Sequence, residues 1–307
     1  MQIKNFVIDP QLKELTEHRT VVLPIAYYKT KIRDNDHGYI PLHWHEELQF
    51  ILILKGESIY QVNEERIDLQ AGEGLFINSG CLHMAEEKAL SECVYICLNV
   101  SPQFIVLPEL YPEYMSPYIQ EGSLPFLLLN PKEPWAKDIL HSVGEITKSL
   151  NSKAPNYEMD ISIQLALIWK NMITHGFQTK NEKAGMLSNE RMKKMIQWIQ
   201  IHYEGKIMLE DIARAGQLSR SECCRYFKRI LKKTPLTYVS EYRIQKSLLF
   251  LQQPETTVTE AAFQAGYNST SHFIEKFKEY MNMTPLAYKR SKRSSQHSQD
   301  AGPGSAR

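Results

Sequence analysis

The sequence lacks the features of a membrane protein or a disulfide-stabilised secreted protein. Its longest apolar run, Leu48 to Leu54, is far too short to cross a bilayer. It has five cysteines, an odd number, and no pair of them has the spacing of a metal knuckle. Its start does not read as a signal peptide. These absences predict a protein of a reduced, cytoplasmic compartment that has no membrane segment.

The chain also lacks a strong overall charge, because its formal net charge at pH 7 is only +1. The charge is divided unevenly, with a net +9 over residues 188–293 and a net −8 over residues 1–187. The length of 307 residues is enough for two domains with separate cores. A basic module beside an acidic one is typical of a protein in which one half meets phosphate. The alternative is that these charges only solvate the surface.

The basic half contains the same unit twice, at residues 209–239 and 258–289. The units align through Thr234-Pro235-Leu236 and Thr284-Pro285-Leu286, with an offset of 50 residues there and 49 at their front. A repeat of this length indicates a duplicated supersecondary unit. Each copy is predicted to form a short helix, a tight turn and a longer helix. This arrangement describes a helix-turn-helix, whose second helix can enter the major groove of DNA.

Local signals fix the start and the turn of each unit. Ser219 and Glu222 form a capping box at the start of the first longer helix, and Ser269 is the expected cap of the second. Gln217 stands in the first turn where the second unit has Gly266. We therefore expect the first turn to differ, to be strained, or to use Gly216 for the positive φ that the turn requires.

One further helix is predicted between the two units. Thr234 is its N-cap and Pro235 its first residue, where the missing N–H costs nothing. The helix should run to Gln252, about 27 Å at 1.5 Å per residue, which is close to the ~34 Å between successive major-groove faces. A rigid spacer of this length could hold two reading helices on consecutive turns. Its predicted buried stripe comprises Leu236, Val239, Ile244, Leu248 and Leu251.

The outward positions of the two longer helices are the candidate DNA contacts. Arginine suits guanine edges, whereas serine and threonine serve either a base or a phosphate. Lys228, Arg229 and Lys278 are expected at phosphates. The alternative for any one position is a solvated helix face. The candidates are Arg220, Ser221, Arg225, Lys228 and Arg229 in the first unit, and Thr270, His272, Lys276 and Lys278 in the second.

The acidic half is predicted to be an all-β sandwich or barrel followed by two helices. Short β-rich runs alternate with turns, at residues 21–23, 48–54, 58–62, 74–78 and 93–100. The proline-rich stretch 101–132 should be irregular. Two apolar stripes then predict helices over 135–150 and 159–175 that pack antiparallel and cover the open side of the barrel. The stripes are Ile139, Val143, Ile146 and Leu150, and Ile161, Leu165, Ile168, Trp169 and Met172.

Three histidines form the second informative group. His43 and His45 point the same way if they lie on a strand, and His83 on a neighbouring strand could complete a three-imidazole set. One interpretation is a metal site. The other is a metal-free pocket for a small molecule, with the candidate effector-binding residues near its mouth. These residues are His43, Trp44, His45, Gln49 and His83.

The paired helix-turn-helix units, the helix that begins at Thr234-Pro235 and the closing Thr-Pro-Leu-Ala-Tyr resemble the DNA-binding domain of AraC/XylS-type transcription regulators. The resemblance covers about residues 188–289. The histidine motifs are similar to the two motifs of the cupin family, with Gln49 in place of its metal-binding glutamate and Asn78 in place of a proline. Glutamine is a poor metal ligand because it brings no negative charge, so the metal-free pocket is the favoured interpretation, and no metal or cofactor is predicted.

The resemblance implies a transcription regulator and no enzyme. Its cupin-like domain would sense a small molecule, a sugar or another metabolite, and its helix pair would form a homodimer. Promoter DNA and RNA polymerase would be its partners. The alternative is a metal-dependent cupin enzyme fused to a DNA-binding module. The predicted two-domain architecture is a cupin-like effector-sensing barrel at 1–130, a helix pair at 131–177, a linker at 178–187, an all-α domain with two helix-turn-helix motifs at 188–290, and a disordered tail at 291–307.

Overall fold

The computed structural model describes residues 7–9, 12–17, 23–35, 38–88, 91–120, 123–177 and 184–291, with only the backbone for 184–189. Internal contacts divide the chain into two compact units, residues 1–190 and 191–307. Within the described residues, no helix is long and apolar enough to cross a membrane. Residues 21–22 of the predicted run 21–23 and the tail beyond residue 291 lie outside the described residues. So do residues 178–183 of the predicted linker 178–187, whereas its last four residues, 184–187, are helical, so the predicted end of the linker is wrong.

The first unit contains two antiparallel sheets, which confirms the predicted β-rich class. One sheet has the strand order β1-β8-β3-β6-β9 and the other has the order β2-β7-β4-β5. The strands in the described part of the chain are β1 (Ile25–Lys31), β2 (Ile40–His43), β3 (Leu48–Lys55), β4 (Glu57–Val62), β5 (Glu65–Gln70), β6 (Gly74–Ile77), β7 (His83–Glu87), β8 (Val94–Val100) and β9 (Phe126–Leu129).

The five-stranded sheet is buried on both faces. On β3, Ile51 and Ile53 point into the space between the two sheets. Leu48 and Phe50 belong instead to a second cluster, which also contains the helix pair. This division follows from the period of two along a strand. Strands buried on both faces read as continuous apolar runs, so the run Leu48 to Leu54 is a strand and no part of a helix.

The sequence prediction missed several elements of the first unit. Strands β1, β2, β5, β7 and β9 were not predicted as such, because the first four mix polar residues into short runs and β9 is only four residues long. The stretch predicted to be irregular, 101–132, contains three single-turn helices as well as β9, which pairs with the distant strand β6. These helices are α1 (Pro102–Ile105), α2 (Tyr111–Tyr114) and α3 (Ser116–Ile119). A four-residue element carries too little periodicity to be recognised from sequence.

The helix pair consists of α4 (Pro134–Ser152) and α5 (Tyr157–Asn171), which continues into a π-helical turn at Met172–Gly176. Both predicted stripes are confirmed as buried, except that Leu150 is only partly buried. The pair packs on the outer face of the five-stranded sheet, with the rings of Phe76 and Trp169 6.4 Å apart. The prediction that the pair covers the open side of the barrel is therefore wrong, because its apolar faces match the outward side chains of the sheet.

The second unit is entirely helical in its described residues. Its helices are α6 (Ala184–His202), α7 (Leu209–Ala215), α8 (Arg220–Leu231), α9 (Pro235–Gln252), α10 (Val258–Gln264) and α11 (Thr270–Met281), followed by a helical segment at 285–291. Helix α6 begins four residues before Ser188, so Ser188 lies inside the helix. Ala184, Met186 and Leu187 are good helix formers that extend the helix backwards. Its buried face comprises Met192, Met195, Ile196 and Ile199.

Helix α9 has the predicted bounds, and Thr234 accepts a hydrogen bond from the backbone N–H of Thr237 at 3.1 Å. Its predicted stripe has one error, because the side chain of Leu236 is 51% exposed. The buried face instead begins at Pro235 and continues through Tyr238, Val239 and Tyr242. Pro235 lies three and four residues before Tyr238 and Val239, and Tyr242 lies four and three residues after them, so the four share a face.

Phe277 is fully buried in α11, against Phe273 and Tyr288. We expect Phe277→Ala to lower the free energy of opening of the second unit by about 3–5 kcal/mol, since the truncation leaves a cavity in a packed core. Amide hydrogen exchange of the α11 backbone in the full chain measures that free energy locally. The matched control is Ile274→Ala on the same helix, whose side chain is 39% exposed. Unchanged protection in Phe277→Ala would remove Phe277 from the core.

Candidate functional site

The two helix-turn-helix units are built by the same local interactions. In the first, Ser219 Oγ accepts the N–H of Glu222 at 3.3 Å, and a carboxylate oxygen of Glu222 accepts the N–H of Ser219 at 2.9 Å. The Ser219 hydroxyl also donates to this carboxylate at 2.6 Å, and this bond, together with the one from the Ser219 N–H, holds the pKa of the Glu222 carboxyl below its usual value. Ser269 caps α11 in the second unit, through the N–H of His272 at 3.4 Å. Both predicted caps are therefore confirmed.

The turns of the two units reach the same backbone conformation with different residues. Gln217 has a φ of 54° and Gly266 a φ of 85°, both in the left-handed region. Gly216 has a φ of −87°, so the expectation that it takes over the positive φ is wrong. Gly216 is small for another reason, since a Cβ there would lie 2.8 Å from Sδ of Met195. The first turn therefore carries the strain of a non-glycine residue at positive φ.

The outer face of α8 is strongly basic. All five residues predicted as DNA contacts in the first unit are exposed, while Cys223, Phe227 and Ile230 hold the opposite face in the core. Arg220 pairs with Glu210 of α7 at 2.9 Å. Arg229 lies over the ring of Tyr226, 5.0 Å from its centroid. The amphipathic pattern of α8 thus presents an arginine-rich surface on a helix fixed at its N-terminus.

The predicted contacts of the second unit occupy more varied positions. His272 and Lys278 are exposed, whereas Thr270 and Lys276 are half-buried. His272 and Lys276 line a groove between α9 and α11, and Lys276 pairs with Glu279 at 2.7 Å. Glu275 is exposed at the position that matches Arg225 of the first unit. The exposed surface of α11 is therefore less basic than that of α8.

Two cations of this unit stabilise its fold by donating hydrogen bonds to backbone carbonyls, a role that the sequence prediction missed. Lys289 is buried, and its ammonium donates to the carbonyl oxygens of Gln253, Pro254 and Thr256 just after α9. Arg243 is a residue of α9, and its guanidinium donates to the backbone carbonyl of Tyr203 at 2.8 Å. Burial lowers the pKa of Arg243. Both cations bind backbone oxygens after helix ends, where carbonyls lack helical partners.

The barrel of the first unit encloses a narrow cavity of about 20 Å³, lined in part by Tyr28, Tyr60 and Tyr95. That volume is room for about one water molecule. A sugar- or metabolite-sized ligand, as the sequence predicts, would therefore require the aromatic side chains that fill the barrel to move. Burial raises the pKa of Tyr60 and Tyr95 well above the usual value, so both phenols stay neutral at ordinary pH.

The structure brings His43, His45 and His83 together beside this cavity, all nearly fully buried. Their ring centroids lie 4.2 to 5.7 Å apart, and their ligand atoms all lie within 4.8 Å of one another. Gln49 joins the group, with its Nε2 3.4 Å from Nε2 of His45. Trp44 is not among the cavity-lining residues, and its ring faces the ammonium of Lys13.

The sequence prediction missed Glu14, which reaches the same group from the N-terminal segment. Its side chain is buried, and its Oε2 lies 3.5 Å from Nε2 of His43. Backbone pairing with Trp44 places it there, since the N–H of Glu14 donates to the carbonyl of Trp44 at 2.9 Å. No local signal could have identified this contact, because it depends on pairing between residues far apart in the chain.

The five cysteines form no disulfide. Burial raises the pKa of the Cys93 thiol to about 11 and that of Cys223 to about 12, and it raises the pKa of Cys97 further. These thiols are therefore protonated and unreactive at neutral pH. Cys223 packs against Sδ of Met195 at 3.6 Å, as a small residue of the core.

Comparison with known families identifies both units. Residues 27–106 match the family described as the AraC-like ligand binding domain, and residues 212–291 match a family described as a helix-turn-helix domain. The chain is 60% identical over 288 residues to an uncharacterised HTH-type transcriptional regulator of Bacillus subtilis, YdeC, and the match covers 94% of this chain and 99% of the relative. It is 19% identical to the HTH-type transcriptional activator RhaS of Klebsiella pneumoniae, over 80% of this chain and 86% of the relative.

Solved structures with some likeness include ToxT of Vibrio cholerae bound to an unsaturated fatty acid. That structure is 16% identical, with a TM-score of 0.36 over 86% of this chain and 94% of its own. The DNA-binding domain of AdpA in complex with a target DNA is 21% identical, with a TM-score of 0.33 over 34% of this chain and 95% of its own.

Proposed function

The chain belongs to the AraC/XylS-type family of DNA-binding transcription regulators, and we propose that it works as a dimer whose occupancy of promoter DNA is set by a ligand of its barrel. Family membership confirms the prediction of a regulator and no enzyme, and nothing supports the alternative of a cupin enzyme. The observation that carries the proposal is the exposed basic face of α8, presented by a duplicated helix-turn-helix.

We propose that the first unit makes the stronger DNA contact. Arginines on an exposed helix face suit both guanine edges and phosphates, and α8 has three of them. The second unit contributes through Thr270, His272 and Lys278, with Glu275 limiting its attraction to phosphate. Lys276 acts from the side of the groove, where Glu279 already neutralises it. RNA polymerase is the proposed partner of the DNA-bound protein.

The direct test is affinity selection of fragmented genomic DNA from the organism that carries the gene, at physiological salt. We expect a few intergenic fragments that share two half-sites about one helical turn apart, since α9 separates the two reading helices by a similar length. Sequencing of the recovered DNA identifies the sites. Recovery of random fragments alone would contradict sequence-specific binding by the ligand-free protein.

On a recovered site, we expect Arg225→Ala to weaken binding by about 1–3 kcal/mol, because a base contact is lost. Fluorescence anisotropy with the site and with a scrambled duplex separates base contacts from phosphate contacts. The charge-matched control is Arg214→Ala on α7, which removes one exposed arginine from the same unit. Equal losses on both duplexes would assign Arg225 to a phosphate.

We propose that the helix pair forms the dimer through α5. Met159, Ile163 and Leu167 are 64%, 54% and 49% exposed and follow one another at a spacing of four, so they form one apolar stripe. The opposite face of α5 is already buried against α4 and the sheet. A helix that is apolar on two sides is typical of one that is covered on both.

We expect Ile163→Asp to convert the dimer to a monomer, because it buries a carboxylate in an apolar contact. Sedimentation equilibrium of the full chain measures the mass directly. Asn151→Asp adds the same charge at an exposed position near the end of α4 and should leave the dimer intact. A dimeric Ile163→Asp variant would exclude this stripe, and a monomeric wild-type protein would exclude the dimer.

The ligand-sensing role is proposed for the barrel, around His43, His45, Gln49 and His83. The cavity there admits a single small species or requires the tyrosines to move for a larger one. Either route couples the ligand to the five-stranded sheet, since the cavity is lined by residues of β3 and β8. The same sheet carries the helix pair on its other face.

A further inference from the structure

We propose that His43, His45 and His83 bind a divalent transition-metal ion together with Glu14, a carboxylate supplied by the N-terminal segment. The proposal deepens the sensor role proposed above and rests on it only for its regulatory meaning. Metal binding itself is measured without DNA, so it stands or falls separately from DNA recognition.

The hydrogen bonds of the three rings prepare one nitrogen of each for a metal. Nδ1 of His43 lies 2.7 Å from the carbonyl oxygen of Pro41, and Nδ1 of His83 lies 2.8 Å from that of Cys81. Nδ1 of His45 lies 3.1 Å from the carbonyl oxygen of Glu47. A carbonyl only accepts, so each Nδ1 carries a proton, and Nε2 is the nitrogen of each ring that would bind a metal. Metal-binding histidines are oriented by this kind of contact.

The spacing of the ligand atoms is close to what a small cation requires. The ligand atoms of the three histidines lie within 4.8 Å of one another, and the carboxylate of Glu14 meets this group at His43. A tetrahedral ion with metal–nitrogen bonds of about 2.0–2.1 Å needs about 3.4 Å between nitrogens, a closure within reach of side-chain rotation. The adjoining cavity of about 20 Å³ suits one ion or one water molecule better than an organic ligand.

Glu14 supplies the negative charge that the neutral Gln49 of β3 lacks. The argument against a metal was that Gln49 is neutral, and Gln49 indeed donates to Sγ of Cys97 at 3.2 Å. The carboxylate of Glu14 instead lies 3.5 Å from Nε2 of His43, and its side chain is as buried as the imidazole. Three imidazoles and one carboxylate form a four-ligand set suited to zinc, cobalt and similar ions, and poorly suited to magnesium or calcium.

The N-terminal segment is held at the histidines by specific contacts. The N–H of Trp44 donates to the carbonyl of Leu12 at 2.8 Å, while the N–H of Glu14 donates to the carbonyl of Trp44. The ammonium of Lys13 pairs with Glu46 at 2.7 Å. Trp44 stands between His43 and His45 in the chain, so this pairing aligns Glu14 with the two imidazoles. Metal binding would therefore fasten the segment to the barrel.

The test is a titration of the full-length, chelator-treated protein with Co²⁺, followed by its visible absorption. We expect one Co²⁺ per chain with the absorption of a four-coordinate site, displaced by Zn²⁺ and unaffected by Mg²⁺. Glu14→Gln should weaken binding at least about tenfold, since it removes the charged ligand and keeps the shape. The matched control Glu65→Gln removes an exposed carboxylate of β5, which makes no contact with the segment, and should bind like wild type.

A reciprocal variant tests the role of charge. Gln49 lies beside His45, so adding Gln49→Glu to Glu14→Gln returns a carboxylate to the group, and we expect most of the lost affinity to return. Absence of Co²⁺ binding by the wild-type protein would overturn the proposal. So would a Glu14→Gln variant that binds as tightly as wild type.

A second readout uses the unmodified protein and covers the case in which a variant fails to fold. Exchange of the Glu14 and Trp44 amide hydrogens, which pair the segment with the barrel, should slow at least about tenfold when Zn²⁺ is added, since the metal opposes local opening. If Zn²⁺ binds and these amides exchange as before, the segment is not part of the site and the proposal fails.

Discussion

The first unit depends on the burial of the five-stranded sheet on both of its faces. Side chains alternate along each strand, so Phe50 and Phe76 face the helix pair while Ile51 and Leu75 face the second sheet. A slip of one residue would exchange the two sets, and burial on both sides therefore fixes the register. One face of this sheet lines the cavity, and the helix pair packs on its other face. A change at the cavity can reach α5 through packed side chains, without passing through a loop.

The second unit depends on a different constraint. The backbone carbonyls just after its helices lack helical partners and need other hydrogen-bond donors. Arg243 and Lys289 bind backbone carbonyls at such ends and hold α9 in a defined position. Cations used in this way are unavailable to DNA, so the basic charge of this unit overstates its DNA-facing charge. The exposed arginines of α8 are among the cations that stay accessible. Net charge therefore indicates the kind of partner and does not identify the cations that face it.

The helical unit could be predicted closely because its signals are local. A capping box at Ser219, a Thr-Pro start at Thr234 and apolar positions at helical spacing gave the bounds of α8 and α9. Leu236 was assigned to the buried face wrongly, because near the start of a helix the same apolar residues are compatible with more than one choice of buried face. The barrel was predicted in class only, since short strands such as β5 and β9 acquire their identity from partners elsewhere in the chain.

The site in the barrel shows why a motif is incomplete evidence for chemistry. The three histidines were identified from spacing, and their proximity is what the structure shows. The chemistry, however, depends on a charge that the motif cannot locate, because Glu14 reaches His43 by strand pairing with Trp44. A carboxylate on a strand would make a site that is always complete. A carboxylate on a terminal segment makes one that is complete only while the segment is docked, and by linkage the metal that prefers the docked state must also stabilise it.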